Sequence, residues 1–190
     1  MLDLKIGTRH YSDDAPPKKI AKEQRKAATT TIGTHGLRIV GCRIPAADPA
    51  EPRWAEVWGY KLGNDADASE LPAVLLRFLG TAERVATARG FAEELRAVFA
   101  TQQEYVFYGS SLLLAYDAAL GDDAPLRIKM IDFGHVHGFA QADSTEGEAA
   151  AALAEQYYRG GLGNDGYMHG LVTLLEILQP YVWRGSGVWR

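Results

Sequence analysis

Three short stretches carry side chains whose types and spacing suit work on phosphate. In Met130-Ile131-Asp132-Phe133-Gly134-His135 an aspartate closes an apolar run and Phe-Gly follows. A carboxylate placed where a sheet opens to solvent is a hard oxygen ligand, suited to Mg2+ on the phosphates of a nucleotide. Strand-Asp-aromatic-Gly turns are common, so the tripeptide alone says little. Ser110 and Ser111 open the stretch Gly109-Ser110-Ser111-Leu112-Leu113-Leu114. Hydroxyls there can add an oxygen to the same metal or bond a phosphate; serines satisfied by the backbone of an edge strand are the plain alternative. Asp3 and Lys5 stand two apart in Asp3-Leu4-Lys5-Ile6-Gly7, so on a strand they project to one side. The pair can position a hydroxyl and neutralise a phosphate, or form an ordinary ion pair.

Strands must hold these groups, and the pattern supplies them. Residues 3–7 read as a short strand. Leu37 to Ile44 alternates and is β-branched, and Trp54 to Tyr60 is extended. Glu104 to Asp117 and Leu126 to Asp132 read as two strands. Gly121-Asp122-Asp123-Ala124-Pro125 between them has turn chemistry, which predicts an antiparallel hairpin. Pro16 and Pro17 after Ser12-Asp13-Asp14 mark the start of a helix that runs to Thr29, where three threonines and Gly33 end it. Further helices are expected near 69–79 and 83–101, the second with an apolar stripe of Phe91, Leu95, Val98 and Phe99. Another is expected over 145–159. After the glycine-rich break 160–166, a last helix over 167–178 puts Leu171, Leu174, Leu175 and Leu178 in the core.

The chain has 190 residues, 47% hydrophobic and 23% charged, which suits one well-filled domain and excludes disorder as the main state. No apolar run reaches the roughly 18–20 residues that cross a bilayer, and the N-terminus lacks a secretory pattern. The single cysteine, Cys42, fits a reducing compartment, so an intracellular place, in cytoplasm or nucleus, is expected. A net charge of −4 argues against nucleic acid as partner. The charge is uneven: residues 1–44 hold nine Lys/Arg against four acids, leaving the remainder acidic. A basic segment on an acidic body suits a small polyanion better than a polymer. A solvated helix face over Lys18 to Lys26 explains the same charges.

Together the three stretches resemble the inositol polyphosphate kinase family. Asp3-Leu4-Lys5-Ile6-Gly7 is similar to its P-x-x-x-D-x-K-x-G signature, Ser110-Ser111-Leu112-Leu113 to its S-S-L-L motif, and Ile131-Asp132-Phe133-Gly134-His135 to its I-D-F-A/G-H/K motif. Gly166-Tyr167 before Gly170-Leu171 resembles the G-Y-x-x-G-L start of its last helix. The resemblance implies that Asp132, assisted by Ser110, ligates Mg2+ on the phosphates of ATP. It implies that Lys5 contacts the substrate phosphate and the transferring group, that Asp3 orients the accepting hydroxyl, and that His135 lies beside the inositol and assists transfer as a third catalytic residue. Lys5, Arg9, Lys18, Lys22, Arg25 and Lys26 become the candidate contacts to inositol phosphate. The implied fold is α+β, a mostly antiparallel sheet packed by helices, equivalent to the C-lobe of a kinase-like (SAICAR synthase-like) fold over residues 1–181, with 182–190 as a tail.

Two departures stand beside the match. The family signature begins with a proline four residues before its aspartate, and Asp3 here follows only Met1 and Leu2. The family's N-terminal lobe, with its lysine on the ATP phosphates and its hinge to adenine, has no counterpart, since the 160–166 glycine run lacks the Lys-Ser/Thr of a phosphate loop. The expectation is a sequence that starts at an internal methionine of a longer protein; a natural short lobe, or a second chain supplying the rest, stays open. The expected activity is ATP-dependent transfer to a hydroxyl or phosphate of an inositol polyphosphate, multikinase-like. A hexakisphosphate kinase and a non-catalytic inositol-phosphate-binding lobe are the alternatives. A lobe without its partner also leaves apolar surface near the Asp3 and Ser110 strands, which predicts self-association.

Overall fold

Alternation sets the first strand. In β1 (Leu2–Ile6), Leu2, Leu4 and Ile6 are wholly buried, while Asp3 and Lys5 between them lie half-buried on the other side. Each buried aliphatic side chain stabilises the fold by roughly 1.5–3 kcal/mol, so these three alone fix which face of the strand turns inward. The computed structural model describes residues 1–12, 15–45, 54–58, 69–102, 104–138 and 165–179.

β1 lies at the centre of a five-stranded sheet of order β3-β2-β1-β5-β6. Its other members are β2 (Leu37–Pro45), β3 (Trp54–Trp58), β5 (Ser111–Ala115) and β6 (Arg127–Ile131), every neighbouring pair antiparallel. In β2 the buried apolar residues run Leu37, Ile39, then Cys42 and Ile44, a change of phase. The β1–β2 register slips between Asp3 and Leu4, and one extra residue turns the following side chains to the opposite face. The bulge therefore lets both ends of β2 face the core.

Helices cover that apolar face. Six residues of α3 (Glu70–Leu79), among them Leu71, Leu75 and Phe78, join α4 (Ala82–Thr101) through Val85, Ala88, Ala92 and Phe99. α5 (Asp165–Leu178) adds Tyr167, Leu171, Leu174 and Leu178, and the Tyr167 ring stacks on Phe99 at 4.3 Å. Buried Arg84 of α4 meets no carboxylate among the described residues; it donates to the carbonyls of Leu79, Gly121, Asp122 and Ala124 and lies over the Tyr116 ring. It thereby clamps the 3-10 turn Ala118–Asp123 that joins β5 to β6.

The α+β class, the hairpin of β5 and β6 and the leucine face of the last helix are as the sequence predicts. Other elements differ. The single strand expected over Glu104–Asp117 is broken at Gly109, whose φ is +72°, a value that L side chains rarely adopt. The piece before the break, β4 (Tyr105–Phe107), pairs instead with β7 (Val136–Gly138) in a separate two-stranded ribbon. The threonines do not simply end the first helix. α1 (Pro17–Thr29) stops at Thr30, whose hydroxyl accepts from Ile32 N and opens a short α2 (Thr31–His35). Val98 is 55% exposed, because the inward stripe of α4 runs Ala88, Ala92, Leu95, Phe99 and passes it by. α5 begins at Asp165, inside the expected break. The helix expected over 145–159, and the boundary at 181 with its tail, lie outside the described residues.

Candidate functional site

The sheet face opposite the helices gathers polar side chains that the β1 alternation turns outward. Lys5 pairs with Arg38 on β2 and with Ser111 on β5, and Ser111 pairs with Ile131 on β6. Paired residues share a face, so Arg38, Lys5 and Ser111 form one row across three strands. The row points to Asp132, the residue after β6, which is exposed and holds φ at +64°. Asp132 is the one non-glycine residue at positive φ among the described residues, and such strain collects at sites where a side chain must be aimed.

Electrostatics ties these groups together. Burial pushes the Asp3 carboxyl above its usual range; the Ser111 hydroxyl and the Lys5 ammonium pull it back, and the like charge of Asp132 adds to the rise. Burial pushes Lys5 down, opposed by Asp132 and then Asp3. The Lys5 ammonium donates to the Gly109 carbonyl at 2.7 Å, in the turn that leads into the serine pair. Asp3, Lys5 and Asp132 thus share one field, as their motifs imply.

The two serines part company. Ser111 lies by the Asp3 carboxyl, near enough to influence it though short of hydrogen-bond geometry, whereas Ser110 approaches the buried Tyr167 phenol. The Asp3 Oδ1, Ser110 Oγ, Ser111 Oγ and Tyr167 hydroxyl oxygens are all buried without a hydrogen-bond partner. Buried polar atoms are nearly always satisfied, so the orphaned Asp3 Oδ1 and Ser111 Oγ, on the side that Lys5 shares, fit a site that a cation or a phosphate completes. Among the described residues no three His, Cys, Asp or Glu side chains cluster to cage a metal. One carboxylate with a neighbouring hydroxyl suits Mg2+, which takes few protein ligands and fills its shell with phosphate oxygens and water. The hydroxyl in the Lys5 row of the sheet is that of Ser111, while Ser110, the serine that the motif marks, lies toward Tyr167. Strand alternation held that information, but only once the Lys5–Ser111 register was known.

The basic helix presents two faces. Lys18, Lys22 and Arg25 are exposed on one; Lys19, Glu23 and Lys26 lie half-buried on the other. Lys26 binds Glu23 at 2.7 Å, and Lys19 Nζ stands 3.1 Å from Nε2 of His135. It is Lys19 that the fold brings to the Asp132 turn, a residue that spacing alone does not separate from Lys18. Arg9 lies between the rings of Tyr11 and Tyr108, at 4.7 and 4.6 Å, and its Nε donates to the Tyr11 carbonyl, so it braces the loop after β1. His10, which no motif marks, donates Nε2–H to the Gly7 carbonyl at 2.9 Å, and burial holds its pKa down at about 4.

The arrangement sets an aspartate turn near an Asp-Lys strand on one side of the sheet, and comparison with known proteins gives the chain a family. A family model described as inositol polyphosphate kinase matches residues 1–179. This chain belongs to the inositol polyphosphate kinase family. It is 30% identical over 198 residues to human inositol hexakisphosphate kinase 3, covering 94% of this chain and 47% of that protein. It thus spans less than half the length of the curated relatives it matches. A solved inositol phosphate multikinase has the same fold, with a TM-score of 0.71 at 20% identity over 94% of this chain and 77% of that one. A multikinase from S. cerevisiae, solved with ADP and Mn2+, gives 0.65 at 18% identity, covering 93% and 76%.

Proposed function

We propose that the protein transfers a phosphoryl group from ATP to a hydroxyl or phosphate of an inositol polyphosphate, with Mg2+. The observation that carries this reading is the single face on which Asp3, Lys5, Ser111 and Asp132 meet, with the basic helix reaching the Asp132 turn through Lys19. Mg2+, when bound, would neutralise charge on the nucleotide phosphates. Asp132 would hold it, with the Ser111 hydroxyl on the Lys5 side of the sheet as the second oxygen. Lys5, aimed by the Gly109 carbonyl, offsets charge on the phosphoryl oxygens, while Asp3 accepts a hydrogen bond from the incoming hydroxyl and orients it. Lys19 faces the remaining phosphates, and the other cations of α1 add attraction from a distance. Such transfer asks chiefly for position and charge, so this sparse set is chemically sufficient.

The acceptor class divides two ways. The relatives matched by sequence are named hexakisphosphate kinases, and the structural neighbours are multikinases. Isothermal titration of the chain with inositol hexakisphosphate, with a trisphosphate and with Mg-ATP tests the binding half directly. Turnover of the unsubstituted protein, in its full natural length, against its Asp132→Ala form tests the rest. The expected result is inositol phosphate binding in both and turnover only in the unsubstituted protein. Retained turnover in Asp132→Ala removes Asp132 from the metal site. Inositol phosphate binding without turnover in either protein leaves a receptor in place of an enzyme.

A further inference from the structure

The contact between the basic helix and the Asp132 turn has a direction that the atoms themselves fix. A lysine ammonium has three donors and no acceptor, so at 3.1 Å from it the Nε2 of His135 must offer its lone pair. The ring proton of neutral His135 then sits on Nδ1. The backbone is pinned as well: the His135 carbonyl accepts from Tyr108 N at 3.0 Å, and the next carbonyl along from Tyr108, that of Gly109, takes the Lys5 ammonium. A continuous path therefore runs from Lys19 through His135, Tyr108 and Gly109 to Lys5.

We propose that Lys19 is a positioning residue, which holds the Nε2 lone pair of His135, fixes its proton on Nδ1 and ties α1 to the Asp132 turn. Resting on the reading of the site as an inositol phosphate kinase, the consequence is a substrate-gated acceptor. A phosphate that draws the Lys19 ammonium to itself releases the Nε2 lone pair, which can then accept a hydrogen bond from a substrate hydroxyl. An Nε2–H tautomer would offer only a donor there.

Nitrogen-15 NMR of the histidine rings reads the tautomer directly, with the His135 signal assigned by its loss in His135→Gln. The unsubstituted chain is expected to carry the His135 proton on Nδ1. Lys19→Met should lose that preference, and Lys19→Arg, which keeps donors at the same place, should restore it. In the full-length enzyme, Lys19→Met should lower kcat/KM about ten- to a hundred-fold, with Lys19→Arg recovering most of the loss. A proton on Nε2 in the unsubstituted chain, or a tautomer unmoved by Lys19→Met, overturns the proposal. The first of these needs no variant to fold. If no inositol phosphate binds or turns over, the functional reading fails by itself, and the tautomer still decides the role of Lys19.

Discussion

Lys5 of the central strand donates its ammonium to the carbonyl oxygen of Gly109, the residue that breaks the chain between β4 and β5. One bond thus fixes the direction of a half-buried cation and anchors the turn that presents Ser110 and Ser111. A charge held in a partly desolvated place acts far more strongly on a phosphate than one free in water, and it needs no rearrangement when charge develops.

Replacing Lys5 by Met keeps the length of the side chain and removes the charge. The Gly109 carbonyl loses its donor, a cost of about 1–2 kcal/mol, but the desolvation that pushes Lys5 down is relieved at the same time. The expected outcome is a fall in kcat/KM of about a hundred-fold or more, with Tm moved by only a few degrees. Steady-state kinetics beside a thermal melt checks it. A Tm lowered by about 10 °C would make Lys5 a structural residue first.

Asp132 should show the reverse pairing of effects. Its φ of +64° is unfavourable for a side chain with a Cβ and ordinary for glycine. Asp132→Gly is expected to stabilise the fold by about 1 kcal/mol, since the residue is exposed and loses little packing. Turnover should vanish in the same protein. A urea midpoint that falls in Asp132→Gly would show that the aspartate side chain supports the turn, in place of being strained by it.

What the sequence disclosed divides along local and long-range lines. The Asp3/Lys5 alternation, the Asp132 turn and the leucine face of α5 are local patterns, and period and punctuation reveal them. Ser111 over Ser110 and Lys19 over Lys18 depend on pairing register and on which helix face turns inward, and both are set by contacts distant in sequence. β7 has three residues, too few for any period, and exists because β4 is there to pair with it. No local pattern marks Arg84 as buried. Only the folded 3-10 turn supplies the four carbonyls that make its burial affordable.

The G-Y-x-x-G-L start of α5 has a packing reason. Gly166 and Gly170 are four apart, so they share one helix face, and that face lies against Thr8 and Gly36. A Cβ on Gly170 would collide with the Gly36 carbonyl, which accepts from Gly7 N, and would stand 2.9 Å from Ile6 Cγ2. Backbone and a buried branch point cannot yield cheaply, so Gly170→Ala is expected to destabilise by about 2–3 kcal/mol despite its better helix propensity. Because Gly7 closes the Asp-Leu-Lys-Ile-Gly stretch, activity should fall with stability. A urea denaturation midpoint unchanged from the parent would mean that α5 does not approach the turn so closely.

His10 gives the fold a pH dependence whose sign can be worked out. Burial first, then the charge of Lys5, holds its pKa down at about 4 against an ordinary 6.5, with Arg38 adding to the fall and Glu23 and the Gly7 carbonyl opposing it. As pH falls the unfolded chain therefore takes up the proton before the folded one does. The stability His10 contributes is fully present above pH 6.5 and is lost between 6.5 and about 4, a total of about 3 kcal/mol. Asp3, whose carboxyl is raised, works in the opposite sense, so the net slope is not that of His10 alone. His10→Gln keeps a donor for the Gly7 carbonyl and cannot titrate. The difference in urea midpoint between the two proteins should accordingly narrow from pH 7 to pH 4.5, with the parent losing more stability than the variant over that range. Parallel pH profiles would show that His10 takes up its proton at the same pH in the folded and unfolded chains, and that the loop after β1 is open to water.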